Sequence, residues 1–107
     1  MKFILVEDLI TRLENALVEM NIICSEKLRN CMMEALAGEK NDSACEMLSE
    51  ILENYVIAQE RHLPLCQDTG MVMAEVTMGI EVVLVGGTFQ EALDEAIRRA
   101  YQKKYFR

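Results

Sequence analysis

Cys66, Gln67, Asp68 and Thr69 follow one another between Pro64 and Gly70. A thiol that ionises to a soft metal ligand stands beside an amide, a carboxylate and a hydroxyl. Pro64 fixes its own φ, lacks a backbone donor and biases Leu63 away from helix. Gly70 admits a positive φ or a close backbone approach. Such a run is poor core material. It suits a site that holds a metal and orients a small polar substrate, or a surface loop that carries a stray cysteine.

Regular elements on both sides must aim that loop. Val6, Leu9, Ile10, Leu13, Leu17 and Met20 recur at helical spacing, and Glu7 and Asp8 complement the dipole of the first turn. Asn21–Cys24 breaks the pattern, and Ser25 caps a second helix carrying Leu28, Cys31, Met32, Ala35 and Leu36. Residues 38–42 read as its end and a turn. Ser43 with Glu46 forms a capping-box pattern ahead of Met47, Leu48, Ile51, Leu52, Tyr55 and Val56.

Beyond Gly70 the period changes. Val72, Ala74, Val76 and Met78 share one parity, Gly79 opens a turn, and Glu81–Val85 is a compact β-branched run. Met71–Val85 therefore predicts a β-hairpin. Gly86-Gly87 reads as a tight turn into a helix opened by Thr88 and Glu91, with Leu93, Ala96, Ile97 and Ala100 on one face. Arg98, Arg99, Lys103 and Lys104 lie towards its negative end. The expected fold is α+β and mostly helical: three N-terminal helices, a short hairpin and a C-terminal helix in a single domain, 1–107.

Composition narrows the functional classes. The chain has 107 residues, enough for one core but short for an enzyme, and 51% of them are hydrophobic, which excludes disorder. Its formal charge of −7 argues against binding a phosphate backbone. No apolar run approaches the roughly 20 residues needed to span a bilayer. The opening run Met1–Val6 is interrupted by Glu7 and Asp8, too early for a signal peptide. A cytoplasmic protein without nucleic-acid or membrane partners is expected.

The remaining reactive side chains point elsewhere. Cys24, Cys31 and Cys45 fall in or beside apolar helical patterns, where a free thiol acts as a small hydrophobe, and no pair has Cys-x-x-Cys spacing. His62 is the sole histidine, and proximity in sequence to Cys66 does not make a nucleophile pair; a solvated loop position is expected. The eight methionines suit adaptable core filling.

The run Pro64–Gly70 resembles the signature of the class I fumarase and L-tartrate dehydratase family, the iron–sulfur hydro-lyases, near the start of their α region. Upstream, Ile51–Ala58 is similar to a family helix with an Asn and an Ala before the loop. Downstream come Gly86-Gly87, a helix with Tyr101, and Phe106-Arg107, similar to a Leu-Arg step. The resemblance covers nearly the whole chain, and the run around Cys66 is its specific part.

That resemblance implies reversible hydration or dehydration of a small dicarboxylate, fumarate/malate or tartrate, at a 4Fe–4S cluster with one open iron acting as a Lewis acid. It implies Cys66 as the first of three cluster ligands, and Gln67 and Asp68 at the substrate, Asp68 as a catalytic group. Arg107 would clamp a carboxylate with its bidentate fork. The other two ligand cysteines lie further along in the family than Arg107, and Cys24, Cys31 and Cys45 match no ligand position. Ala96-Ile97 stands where a Gly-Val is typical. The expectation is a fragment or subunit piece that holds no stable cluster alone. It would act only with the remainder of the α subunit and a β subunit or region, as an oligomer. The alternative is a non-catalytic interaction module that keeps the fold.

Overall fold

The computed structural model of the chain describes residues 1–66 and 71–104. The order of elements is β1 (Lys2–Leu5), α1 (Val6–Ile22), α2 (Glu26–Gly38), α3 (Asp42–Arg61), β2 (Val82–Val85) and α4 (Phe89–Lys104). They fall into two compact units, one of Met1–Val18 with Asp68–Arg107 and one of Glu19–Gln67. The protein is mostly helical with one short two-stranded sheet, the expected α+β class.

In the first unit, β1 and β2 run parallel in the register Lys2↔Val82, Phe3↔Val83, Ile4↔Leu84 and Leu5↔Val85. The Lys2 amide donates to the Glu81 carbonyl at 2.8 Å and starts the ladder. This corrects the hairpin expected over Met71–Val85. The turn at Gly79 is present, its carbonyl accepting from Val82 N–H at 3.1 Å, but residues 71–79 form no strand. Alternation reports which faces are apolar, not which segment will pair, because what stabilises a strand is its neighbours. β1 has only four residues and runs into α1 without a breaker, so the segment that does pair gave no separate signal. A parallel pair needs a long connection, here everything from α1 to α3.

The core of this unit is made of Val6, Ile10 and Leu17 of α1 with Ala92, Ala96 and Ala100 of α4. The three alanines recur every fourth residue and are fully buried, so they mark the inner face of α4. Leu84 of β2 and Ile97 pack against the same cluster. Ala96 is thus a core residue, and Ile97 packs at the edge of that core. A narrow cleft of about 190 Å³ remains over the sheet, lined in part by Ile4, Val76, Met78 and Phe89.

The entry to α4 forms as the sequence prescribes. Gly86 at φ 103 takes a left-handed conformation that few L side chains adopt. Thr88 N–H donates to Glu91 Oε2 at 2.8 Å, and Glu91 N–H donates to Thr88 Oγ1 at 3.2 Å. This is a reciprocal capping box. The basic residues do more than complement the dipole. Arg99 reaches Glu7 of α1 at 2.9 Å, and Lys103 reaches Glu14 at 2.7 Å.

In the second unit, Ser25 Oγ accepts from Leu28 N–H at 3.2 Å and caps α2 as expected. α3 begins earlier than Ser43. Asn41 is its N-cap, with Oδ1 accepting from Ala44 N–H at 3.1 Å, while the Glu39 carboxylate receives the Asn41 amide at 3.0 Å. Asn is as good a cap as Ser, and the one in extended backbone ahead of the helix takes the role. α2 buries no residue completely, so its apolar positions are only partly covered.

Glu95 accepts from Arg98 at 2.6 Å and from Arg99 at 2.8 Å. These bonds, Arg98 first, hold its carboxyl at about 2, against the ordinary 4.5. The ionised form is therefore favoured by folding. Its contribution is complete above pH 4.5 and is lost as pH falls through about 2. Glu95→Gln is expected to flatten the fall of Tm across that acid interval, measured by circular dichroism melts. An unchanged slope would show that solvent screens the cluster fully.

Candidate functional site

α3 delivers the loop that carries Cys66. The helix stops at His62, which adopts the left-handed conformation, φ 53 and ψ 43, and returns its N–H to the Ala58 carbonyl. Leu63 N–H donates to the same carbonyl at 3.0 Å. A helix end closed on itself in this way leaves the chain free to change direction. Pro64 has no N–H to place. Leu65 N–H donates to the Asn21 carbonyl at 2.8 Å, and Cys66 N–H donates to Asn54 Oδ1 at 3.0 Å.

Every backbone donor from residue 62 to residue 66 therefore has a fixed partner. That accounting is complete, and it fixes the path of the loop up to the thiol. Asn54 and Ala58, the positions singled out on the third helix, have distinct physical roles. The Asn54 side-chain oxygen accepts from the Cys66 amide across 12 residues of sequence. Ala58 is 1% exposed, leaving no room for a larger side chain beneath the turn.

The Cys66 side chain is exposed. A thiol presented on a pinned loop can ligate a metal that approaches from outside. His62 caps the helix and is exposed, in keeping with a solvated position. Gln67, Asp68 and Arg107, the residues implied at the substrate, lie outside the described residues.

The other thiols divide differently from expectation. Cys24 and Cys45 are half-buried, and their Sγ atoms donate to the carbonyls of Ser25 and Glu39 at 3.5 Å each. Tyr55 is pushed above the usual phenol range by burial first, then by Cys24 beside it. Cys31, expected as a small core hydrophobe, is exposed. Periodicity placed it on the apolar stripe of α2, but that helix has too little cover to bury it.

A cluster of the 4Fe–4S kind needs several thiolates. Among the described residues, no three His, Cys, Asp or Glu side chains converge as a metal site. Cys66 fits the role of one ligand, and the described residues do not supply a complete set.

Comparison with known proteins identifies the family of the chain. Residues 10–107 match the family described as Fumarate hydratase (Fumerase), and the chain belongs to that family. It is also 36% identical over 61 residues to a protein of Methanocaldococcus jannaschii named "Putative L(+)-tartrate dehydratase subunit alpha". The match takes in 57% of this chain and 21% of that relative, so the chain corresponds to a minor part of the relative's length.

Two measurements check the loop. Alkylation of the native protein followed by peptide mapping should modify Cys66 and Cys31 before Cys24 and Cys45. Asn54→Ala removes the acceptor for the Cys66 amide, and a neutral hydrogen bond is worth about 0.5–1.5 kcal/mol. The variant should melt slightly lower and exchange its Cys66 amide hydrogen several times faster, with the α3 amides unchanged. Equal exchange rates would remove Asn54 from the architecture of the loop.

Proposed function

We propose that this chain is a piece of an iron–sulfur hydro-lyase that reversibly adds water to, or removes it from, a small dicarboxylate of the fumarate/malate or tartrate type. The observation that carries the reading is an exposed Cys66 reached by a stretch whose backbone donors from residue 62 to residue 66 all have partners, within a chain of the fumarate hydratase family. Cys66 as thiolate would be one of three protein ligands to a 4Fe–4S cluster, with the other two and a β subunit or region coming from outside this chain. When bound, the cluster supplies a Lewis-acidic iron that stabilises a departing hydroxide.

The chain's own part is to fix the ligand and present polar groups beside it. Gln67 would hydrogen-bond the substrate's oxygens. Asp68 would take a proton from the water being added and return one to the hydroxyl being lost, or hold that hydroxyl in place. Arg107 would grip a substrate carboxylate through two parallel N–H bonds. With one ligand of three, the chain alone is expected to hold no stable cluster and to be inactive.

Anaerobic reconstitution tests this. The chain alone should retain far less than one cluster and show no turnover of fumarate or tartrate. Assembled with the rest of an α subunit and a β subunit, it should gain both. In that assembly Cys66→Ser should lose iron, since a hydroxyl is a much poorer ligand than a thiolate. Asp68→Asn should keep the iron and lose about 10²–10⁴-fold in kcat, the usual scale for a proton-transfer group. Full iron content in Cys66→Ser would overturn the ligand assignment, and near-normal kcat in Asp68→Asn would reduce that residue to loop architecture.

A further inference from the structure

The two-stranded sheet has one covered face and one open face. Ile4 and Leu84, on the inner face, are half-buried, and Leu84 packs on the α1–α4 core. On the outer face Phe3 is 64% exposed, Leu5 55%, Val83 37% and Val85 42%. The register places Phe3 beside Val83 and Leu5 beside Val85, so these four side chains form one continuous apolar patch. It carries no charge in a protein of formal charge −7. Parallel sheets are ordinarily covered on both faces, and two strands alone are marginal in water. Each strand here also has a free edge, because the sheet has no third member among the described residues.

We propose that the Phe3–Leu5–Val83–Val85 face is the surface on which the remaining polypeptide of a fumarase-type α subunit docks. The occupant follows from length and chemistry together. The aligned region fills only 21% of the tartrate dehydratase-like relative, so most of such a subunit lies outside it. The partner this face fits is an apolar helix or strand of that remainder, completing the cover a parallel sheet requires. The inference rests on the hydro-lyase reading and adds where assembly occurs.

The test is co-expression of the full chain, tagged, with the part of the Methanocaldococcus jannaschii relative beyond the aligned region. Leu5→Lys and Val83→Lys are compared with Met47→Lys, a 64% exposed position in the other unit. Because Leu5 and Val83 are already accessible, lysine can reach solvent and far-UV circular dichroism should be unchanged. The unaltered chain and Met47→Lys should retain the remainder, and both sheet-face variants should lose at least tenfold in recovered complex. Amide exchange in β1 and β2 should slow in the complex, an observation that needs no variant. Failure of the unaltered chain to recover the remainder overturns the proposal. So does a complex that tolerates both lysines with no protection of β1 and β2. If that tolerant complex still binds iron through Cys66, the docking face alone falls and the hydro-lyase reading stands. A dimer of the chain by itself that Leu5→Lys abolishes would assign the face to a second copy and overturn the proposal.

Discussion

The bond from Cys66 N–H to Asn54 Oδ1 is the constraint on which the site depends. A surface thiol that is to receive an incoming ligand is best served by a backbone held still and a sulfur left accessible. Those demands conflict, because the contacts that immobilise a loop usually bury it. Here they are separated. Immobilisation is carried by backbone amides, through the Ala58 carbonyl, the Asn21 carbonyl and the Asn54 side chain. The sulfur takes no part in it and stays exposed.

The helix end makes that separation work. His62 in the left-handed conformation ends the helix, and Pro64 then supplies a residue with no backbone N–H to satisfy. A non-glycine residue at positive φ is disfavoured, so the conformation is held by its surroundings: two amides closing on one carbonyl above the buried Ala58. The other unit uses a different device. Its core is assembled from α1, α4 and one face of a short sheet, with ion pairs from Arg99 and Lys103 to α1 at the edge of that core. Surface pairs of this sort contribute little each and set the register of the two helices more than their stability.

Membership of the fumarate hydratase family gives these features a common meaning. The chain has an exposed thiol at Cys66, on backbone held by hydrogen-bonded amides from residue 62 on, and an apolar sheet face with exposed side chains. The exposure of Phe3, Leu5 and Val85 makes a contiguous apolar surface of the kind that marks an interaction site. The apolar positions of α2 likewise follow helical spacing and yet are not fully buried.

The sequence by itself determined the helices and the turns that end or open them. Local rules suffice for these: apolar spacing for α1, α3 and α4, side-chain caps at Ser25 and Thr88, and Gly86 where φ must be positive. The break at Pro64 after α3 was legible for the same reason, since proline acts on its own backbone. What the tertiary structure decided were the questions of partnership. Strand pairing went to β1 and not to residues 71–79, because alternation fixes a strand's faces but not its neighbour. The cap of α3 went to Asn41, since two acceptors close in sequence differ only in the backbone each finds itself in. Cys31 stayed in solvent because burial needs a covering element as well as an apolar stripe. The role of Asn54 depends on a bond spanning 12 residues, and no local pattern in the chain encodes a contact made only when a helix and the loop beyond it fold back together.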